Sequence, residues 1–501
     1  MSSKRLLRFV LLPFLAGPLA AQFHYELAFD TAERNWSVVG SFGNPGGGDV
    51  DYWIARWTPG AYHVADYGRL IEDLSAADGS GKKLAVERID DSHFRIASMG
   101  AEEVVVRYQA SSLSDGIVSH GVVLDVESNR IREGYAYLTP VSLVGFVPDR
   151  IDEPFTLRVE LPNGWKAATA LTADEAGIYR AESYRHLEDS PLLFSPDLVT
   201  VESEAGGKPL TVTVLGKRGE ELDELVEACR RISEAAIGLM GGAPYDRYHY
   251  LIGFVKEGFG SGLEHSFSTL ILLPEGSPVE PFHGIIAHEF FHLWCAERIH
   301  VQGIREADFT QPFQTGTIWV NECMTEYMTQ HVLLHAGFLD HDGFLAAVGP
   351  VPEVLPLATA LPSLVETSRR ARDWQSFNDL GAFAGKIYQY GPRVVFALDL
   401  EMRKLSEGER GVVDFLRHVM SEYDAQGRGF DEDEVPDILN AVASGDLTGF
   451  LERCVVGQEF PSFSELVGVI GYRLEEGRIR PLEEATEEQM AAREDFFSLD
   501  G

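Results

Sequence analysis

The sequence has 501 residues, 45% of them hydrophobic, and 78 acidic residues against 42 basic ones give it a formal net charge of −36. This length predicts two to four domains with sizeable cores. The negative charge argues against nucleic acid or an anionic membrane surface as partners, because both attract clustered Lys and Arg.

Residues 1–21 are typical of a secretory signal peptide. A positive start at Lys4 and Arg5 leads into an apolar run at 9–19, and small residues precede Gln22. A transmembrane anchor is the alternative, but the run is well short of the roughly 20 residues that a spanning helix needs. No later stretch is long enough either. The sequence therefore predicts an exported protein, periplasmic or secreted, with no membrane span.

The next region, residues 22–203, has the pattern of β-strands. Apolar residues recur at every second position, for example at 23–29 and 104–108, and turn residues separate the runs. This pattern predicts an antiparallel β-sandwich. Two segments within it, 57–62 and 161–165, combine aromatic and turn residues, and by themselves they indicate only a packed loop and a strand end.

Residues 204–338 alternate between strand and helix patterns, which predicts a mixed sheet with helices. A strand at 210–214 is followed by an amphipathic helix that ends at Gly241 and by a second strand at 248–252. A glycine-rich turn then leads to four residues: Gly262, Leu263, Glu264 and His265. An edge strand here could hold a peptide by backbone hydrogen bonds, with Glu264 at the cleft.

A His-Glu-x-x-His motif follows, formed by His288, Glu289 and His292. On a helix, side chains four residues apart share one face about 5–6 Å from each other, so both imidazoles can bind one metal ion. Glu289 could then take a proton from an attacking water and pass it to the leaving amine. The alternative is that the motif is accidental and its histidines are ordinary helix residues without a metal. An apolar segment that continues without Pro or Gly over 285–300 favours a buried helix beneath the cleft of a zinc hydrolase.

A catalytic zinc site also needs a third protein ligand and an open position. The candidates downstream are Cys295, Glu297 and Glu322. Cys295 lies about 10 Å of helical rise beyond His288, too far to share one ion with it. Glu322 looks like the ligand, on a second helix, and Glu326 one turn later could accept the free imidazole N–H of His288. A solvated helix face is the alternative for both glutamates.

The rest of the chain is predicted to be a helical domain at 339–472 followed by a charged, helical or loose tail at 473–501. Apolar residues at helical spacing support the first prediction, and the density of charge supports the second. The predicted fold class is therefore a multidomain α+β protein.

Several motifs together carry a family resemblance. They are the metal segment His-Glu-Phe-Phe-His-Leu-Trp with Arg298-Ile299, Trp-Val-Asn-Glu at 319–322, Trp-Thr-Pro-Gly-Ala-Tyr at 57–62, Leu-Pro-Asn-Gly-Trp at 161–165, Gly-Leu-Glu-His at 262–265 and Ala-Leu-Asp-Leu at 397–400. In this order they resemble the glycyl aminopeptidase family of exported gluzincin metallopeptidases. Many relatives continue into a PDZ domain, which this sequence is expected to lack.

The resemblance implies a thermolysin-like catalytic domain that binds one Zn²⁺ per chain and acts on peptide substrates. It implies zinc ligands at three residues, His288, His292 and Glu322, with Glu289 as general base. It also implies that Glu264 captures the free α-amino group, so that a single residue is trimmed, and that this residue is small, glycine or alanine.

The resemblance further implies that the hydroxyl of Tyr388 stabilises the oxyanion. Tyr390 is a rival for this role, and a buried core tyrosine is the alternative for either. Two departures from the family lie at the metal site, where Cys295 replaces a common asparagine and Cys323 a common glycine. We hypothesise that these two cysteines pair in an oxidising compartment and clamp the two metal helices together.

The predicted site residues are compatible with three functions. The leading one is a zinc aminopeptidase. The second is an endopeptidase or oligopeptidase on the same site, which the amine-binding role of Glu264 would disfavour. The third is a peptide-binding protein whose zinc site has been weakened by Cys295 and Cys323, which the full set of catalytic residues would disfavour.

Overall fold

The structure is a computed structural model that describes residues 22–112, 125–256, 258–350, 356, 360–374 and 376–498. The predicted signal peptide, residues 1–21, lies outside them. Among the described residues, no helix combines the length and the apolar character that a membrane span requires.

The N-terminal region is rich in β-strands, as predicted. Its strands are β1 (Phe23–Asp30), β2 (Asn35–Gly43), β3 (Val50–Trp53), β4 (Ile71–Asp78), β5 (Lys83–Leu84), β6 (Val86–Arg88), β7 (His93–Ile96), β8 (Glu103–Ser111), β9 (Asn129–Arg132), β10 (Tyr135–Leu138), β11 (Phe155–Glu160), β12 (Lys166–Ala168), β13 (Thr172–Ala173), β14 (Tyr179–Ala181) and β15 (Leu192–Ser195). They form sheets in the orders β13-β14-β11-β1-β2-β8-β4-β5, β12-β15-β10-β9 and β3-β7-β6. A helix, α1 (Tyr184–Glu188), precedes β15.

These sheets bury their alternating apolar side chains in one shared core. In β2, Trp36, Val38 and Phe42 face this core, while the residues on the opposite side of the strand are partly exposed. This is the period of two that a strand requires. The prediction of a wholly antiparallel arrangement is wrong at one pair, because β1 runs parallel to β11, with Phe23 opposite Phe155. The chain between these two strands passes through the other sheets and re-enters beside β1 in the same direction.

A separate five-stranded sheet contains the strands β16 (Val199–Ala205), β17 (Lys208–Leu215), β18 (Tyr248–Val255), β19 (Ser261–His265) and β20 (Ser268–Pro274). Their order is β16-β17-β18-β20-β19, so β16 lies across the predicted boundary at residue 203 and β19 is an edge strand. The helix α2 (Glu220–Met240) connects the parallel strands β17 and β18. It ends where Gly241 adopts a left-handed φ of 77°, a conformation that glycine adopts without strain.

The remaining chain is mostly helical, in agreement with the prediction. Its helices are α3 (His283–Phe291), α4 (Gln302–Arg305), α5 (Ile318–His335), α6 (His341–Val348), α7 (Leu364–Arg370), α8 (Phe377–Ala384), α9 (Gly391–Leu405), α10 (Val412–Glu422), α11 (Val435–Ala443), α12 (Thr448–Leu451), α13 (Phe463–Leu466) and α14 (Glu487–Phe496). The strands β21 (Tyr472–Glu475) and β22 (Arg478–Pro481) form a hairpin before α14.

The helix that carries the two motif histidines is shorter than predicted. A helix over 285–300 was expected, but α3 ends at Phe291 and a series of turns follows. In these turns the carbonyl of Cys295 lies outside any helical ladder, because it accepts hydrogen bonds from the His292 imidazole at 2.8 Å and the Thr325 hydroxyl at 3.0 Å. Side chains thus take an acceptor that a continuing helix would use.

The C-terminal tail is packed against the helical region. Phe496 is 1% exposed and its ring contacts those of His331, Phe344 and Phe396 at centroid distances of 5.5–5.9 Å. Beside it, Asp495 accepts a hydrogen bond from Arg403 at 2.7 Å. The prediction left open a loose tail, and the structure decides in favour of an ordered one.

Replacing Phe496 by alanine should therefore destabilise the helical region by about 3–5 kcal/mol, the usual cost of removing a buried aromatic ring. Urea unfolding followed by far-UV circular dichroism should show a lower midpoint. Met490→Ala is the matched control, because Met490 lies on the same helix and is 46% exposed; its effect should stay within about 0.5 kcal/mol. Equal midpoints for the two variants would contradict the packing role of the tail.

Candidate metal centre

The packing of α3 against α5 brings three buried ligand atoms together. The Nε2 atoms of His288 and His292 are 2.9 Å apart. The Oε2 atom of Glu322 lies 3.5 Å from the first and 3.6 Å from the second. All three side chains are buried, and the sequence predicted this set as the zinc ligands.

The outer nitrogens of both imidazoles are held by hydrogen-bond acceptors. His288 Nδ1 lies 3.0 Å from Glu326 Oε2, where the sequence placed this carboxylate, and His292 Nδ1 lies 2.8 Å from the carbonyl oxygen of Cys295. Because a carbonyl only accepts, Nδ1 of His292 carries the proton and Nε2 presents a lone pair. The contact with Glu326 likewise turns Nδ1 of His288 away from the site, so that its Nε2 faces that of His292.

This donor set fits a divalent cation. Two imidazole lone pairs and a carboxylate oxygen face one another, which is favourable only with a positive charge among them. Zinc bonds nitrogen and oxygen at about 2.0–2.2 Å, and the mutual separations of 2.9–3.6 Å let one ion reach all three atoms. The surroundings favour positive charge as well. Although burial works against it, hydrogen bonds with Glu322 and Glu326 raise the pKa of His288 well above its usual range, so a metal ion that binds its Nε2 would displace a proton from this nitrogen.

Two further carboxylates lie on one side of the ligands. Glu289 is buried, and burial raises its pKa to about 8 even though the charge of His288 opposes the shift. Carboxylate oxygens of Glu289 and Glu264 and a ring nitrogen of His292 all lie within 4.8 Å of one another. Gly262 makes this approach possible, because a Cβ there would lie 2.5 Å from the Glu289 carboxylate carbon.

The four residues Gly262, Leu263, Glu264 and His265 divide into two pairs with different surroundings. All four lie on the edge strand β19. Gly262 and Glu264 reach the site, whereas Leu263 belongs to a separate apolar cluster. The Nδ1 atom of His265 bonds to Asp189 at 3.0 Å, and burial lowers the pKa of this imidazole to about 4. Two of the four residues predicted to contact substrate, Gly262 and Glu264, therefore face the site, and their role stays a prediction.

The structure also separates the two candidate tyrosines. The ring of Tyr388 lies 5.7 Å from that of His288 and is partly exposed. Burial, together with the charge of Glu322 and a hydrogen bond to it, raises the pKa of Tyr388 well above its usual range, so the hydroxyl lies beside this proposed ligand. Tyr390 is buried and its hydroxyl donates to the carbonyl of Glu459 at 3.1 Å. Tyr390 is thus a core residue, and Tyr388 is the tyrosine beside the metal ligands.

One contributor to the site was not predicted. The loop 57–62, which comes from the N-terminal β-rich region, brings the hydroxyl of Tyr62 to 2.7 Å from Glu322 Oε1. In the same loop, a Cβ on Gly60 would lie 2.7 Å from Glu264 Oε1. The available signal was the motif at 57–62 itself. Composition and periodicity could not connect residues that lie 260 positions apart in the chain.

Comparison with protein-family models identifies the relatives of this chain. The Peptidase M61 N-terminal domain matches residues 24–196, and M61 glycyl aminopeptidase matches residues 281–384. Together these matches cover more than half of the sequence. The chain belongs to the M61 glycyl aminopeptidase family. It is therefore a metallopeptidase of the aminopeptidase type, and the predicted family is confirmed.

Solved structures of related fold extend over most of the chain. An aminopeptidase N family protein from Idiomarina loihiensis superposes with a TM-score of 0.79 at 23% identity, covering 93% of this chain and 82% of that one. An M1 zinc metallopeptidase from Deinococcus radiodurans gives a TM-score of 0.56 at 14% identity, covering 89% and 95%. A mutant of the latter was solved with a Tyr-Ser-Ala substrate. No curated protein sequence matches the chain.

The two cysteines that distinguish this member of the family do not pair. All four cysteines are free thiols. The thiol of Cys295 donates to the carbonyl of Val320 at 3.3 Å, and that of Cys323 donates to the carbonyl of Ile387 at 3.3 Å. Burial raises the pKa of Cys295 to about 12. The hypothesis of a disulfide clamp is therefore wrong in this structure, because each thiol is turned toward a different carbonyl.

Substitution of Gly60 tests whether the loop 57–62 forms part of the site. Its φ of 83° favours glycine, and an added methyl group would press on the Glu264 carboxylate. Gly60→Ala should reduce kcat/KM for free-amine substrates by about 10- to 100-fold, because small displacements of a binding group are costly. Gly81→Ala is the matched control, since its φ is 86° and open space surrounds it. A similar loss in both variants would point to general destabilisation instead.

Proposed function

We propose that this metallopeptidase binds one Zn²⁺ per chain and removes a small N-terminal residue, glycine or alanine, from peptides. The observation that carries this proposal is the position of two carboxylates, Glu289 and Glu264, within 4.8 Å of a ring nitrogen of His292. Beside a metal the two would have different tasks: Glu289 would transfer the proton of the attacking water, and Glu264 would bind the substrate amine. The preference for small residues rests on the family.

The ion would be held by His288, His292 and Glu322, and when bound it would polarise the scissile carbonyl and acidify water. Glu326 and the Cys295 carbonyl hold the imidazoles in the orientation that this binding needs. The Glu289 carboxylate accepts a proton from the attacking water and returns it to the leaving amine. The hydroxyl of Tyr388 donates a hydrogen bond to the developing oxyanion.

Glu264 explains why the enzyme would cut after the first residue. Its carboxylate pairs with the positively charged α-amino group of a peptide in a buried setting, where such pairs are strong. Within one residue the amine nitrogen and the carbonyl carbon are separated by only two bonds, about 2.5 Å. The short distance from Glu264 to the metal ligands therefore suits a carbonyl one residue away from the amine and leaves no room for a longer N-terminal extension.

The framework of the site supports a thermolysin-like catalytic domain. The sheet β16–β20 ends in an antiparallel edge strand beside α3. The proposed ligands come from α3, from the residue that directly follows it and from α5. In this arrangement β19 would bind the substrate backbone by hydrogen bonds. The shared core of the N-terminal sheets likewise supports a β-sandwich.

We also propose that the protein is exported, periplasmic or secreted. This rests on the charge, apolar run and small residues of the segment 1–21. Mass spectrometry of the protein recovered from outside the cytoplasm should give a mature N-terminus at Gln22. Recovery of the full-length chain from the cytoplasm alone would contradict the proposal.

The decisive test is hydrolysis of glycyl and alanyl chromogenic amides beside their N-acetylated forms, with and without a chelator. Cleavage of the free-amine substrates alone, lost on chelation and restored by zinc, is the expected result. Cleavage of the acetylated forms would favour an endopeptidase. Zinc binding without any cleavage would favour a peptide-binding protein.

A further inference from the structure

The loop 57–62 has side chains in two hydrophobic cores that are built largely from different parts of the chain. Trp57 packs into the core of the N-terminal sheets, whereas Tyr62 packs into the core of the catalytic and helical regions. Hydrogen bonds hold both flanks of the loop. Trp57 Nε1 donates to the carbonyl of Asp308 at 2.8 Å, and the backbone N–H of Val64 donates to the carbonyl of Arg372 at 3.1 Å.

Tyr62 has an unusual backbone conformation for a bulky residue. Its φ is 62°, in the left-handed region that side chains other than glycine, asparagine and aspartate seldom adopt. Such a conformation persists only where the surrounding structure enforces it, and it is concentrated at functional sites. Here it directs an aromatic side chain from the β-rich region onto a proposed metal ligand.

The two oxygens of Glu322 have different partners. Oε2 faces the imidazole nitrogens of His288 and His292 at 3.5 and 3.6 Å. Oε1 accepts a hydrogen bond from the Tyr62 hydroxyl at 2.7 Å. A carboxylate can bind a metal through one oxygen or both, and a hydrogen bond that occupies a lone pair of one oxygen favours bonding through the other.

We propose that Tyr62 is a positioning residue that keeps Glu322 bound to the metal through Oε2 alone. This proposal rests on the proposed zinc site. A catalytic zinc ion needs a coordination position that the protein does not fill. By holding Oε1 away, the Tyr62 phenol keeps that position open for water and for the substrate carbonyl. The N-terminal region thus contributes directly to the chemistry of a site whose ligands all come from the following helices.

The test is Tyr62→Phe, which removes one oxygen atom and keeps the ring that packs in the core. The matched control is Tyr67→Phe. The Tyr67 hydroxyl also donates to a buried carboxylate, Oε2 of Glu127 at 3.0 Å, but it has no contact with a proposed ligand. Both variants and the wild type would be loaded with cobalt(II), and their visible absorption spectra and zinc dissociation constants compared.

A changed cobalt spectrum in Tyr62→Phe is expected, with lower absorption intensity as the coordination number rises, while Tyr67→Phe keeps the wild-type spectrum. Zinc affinity should change by about tenfold or more, the usual effect of removing a partner of a metal ligand. The value of kcat should fall more than KM rises. A wild-type spectrum and affinity in Tyr62→Phe would overturn the role of Tyr62 and leave the proposed function intact. A wild type that takes up no cobalt or zinc would overturn the metal site itself.

A crystal structure of the zinc-loaded wild type would show directly, without any variant, how many oxygens of Glu322 are bonded to the ion. Oε2 of Glu322 should be bonded to the ion, and Oε1 should remain hydrogen-bonded to Tyr62. Two bonded oxygens would contradict the proposal.

Discussion

Glu289→Gln is expected to lower kcat/KM for glycyl and alanyl amides by about 10³-fold or more. General base catalysis contributes about 10²–10⁴-fold, and a carboxamide cannot accept the proton of the attacking water. The substitution keeps the size of a side chain that is buried against Gly262. The loss should appear in kcat, because the proton is transferred after the substrate has bound.

Retention of the metal separates a catalytic role of Glu289 from a structural one. Calorimetric titration should show that Glu289→Gln still binds one zinc ion per chain. Glu326→Gln serves as the comparison, since Glu326 hydrogen-bonds the outer nitrogen of His288 and is not itself a proposed ligand. That variant should bind zinc 10- to 100-fold more weakly and recover most activity at saturating zinc. If Glu289→Gln stayed within tenfold of the wild type, another group would have to be the base.

Much of the fold could be predicted, because local sequence determines local structure. The apolar face of α2 and the glycine at its end predict the position of this helix in the sequence. The alternation of apolar and polar residues predicts strands such as β1 and β2. The parallel pairing of β1 with β11 was missed because side-chain alternation is the same in parallel and antiparallel strands. The tail was left open between helical and loose because its charges outweigh the few aromatic residues that pack it, Phe496 above all.

The candidate site was predicted where spacing along one element fixes geometry. His288 and His292 lie four residues apart, as do Glu322 and Glu326, so α3 with the residue after it and α5 deliver three ligands and one orienting partner. The sequence could not show that the helical ladder is abandoned after Phe291, because one of the hydrogen bonds in this segment comes from the Thr325 hydroxyl of another helix. Tyr62 was missed for the same physical reason, since its partner is distant in the chain.

Glu264→Gln should lower kcat/KM for free-amine substrates by about 30- to 5,000-fold. Removing one partner of a buried charge pair costs about 2–5 kcal/mol, and each 1.36 kcal/mol is a factor of ten. Glu264 is buried beside Gly60 and the other carboxylate of the site, Glu289. A neutral amide of the same shape keeps the packing but no longer compensates the charge of the ammonium group.

The acetylated substrates provide the internal control for Glu264→Gln. They carry no ammonium group, so the wild type should cleave them poorly and the variant should cleave them no worse. The ratio of the two kcat/KM values, free amine over acetylated, should therefore fall in Glu264→Gln and remain unchanged in Glu289→Gln. An equal loss on both kinds of substrate would show that Glu264 acts on the metal site as a whole. A selective loss would show that one carboxylate on the edge strand β19 sets the distance from the amine to the reacting carbonyl, and with it the release of a single residue per cleavage.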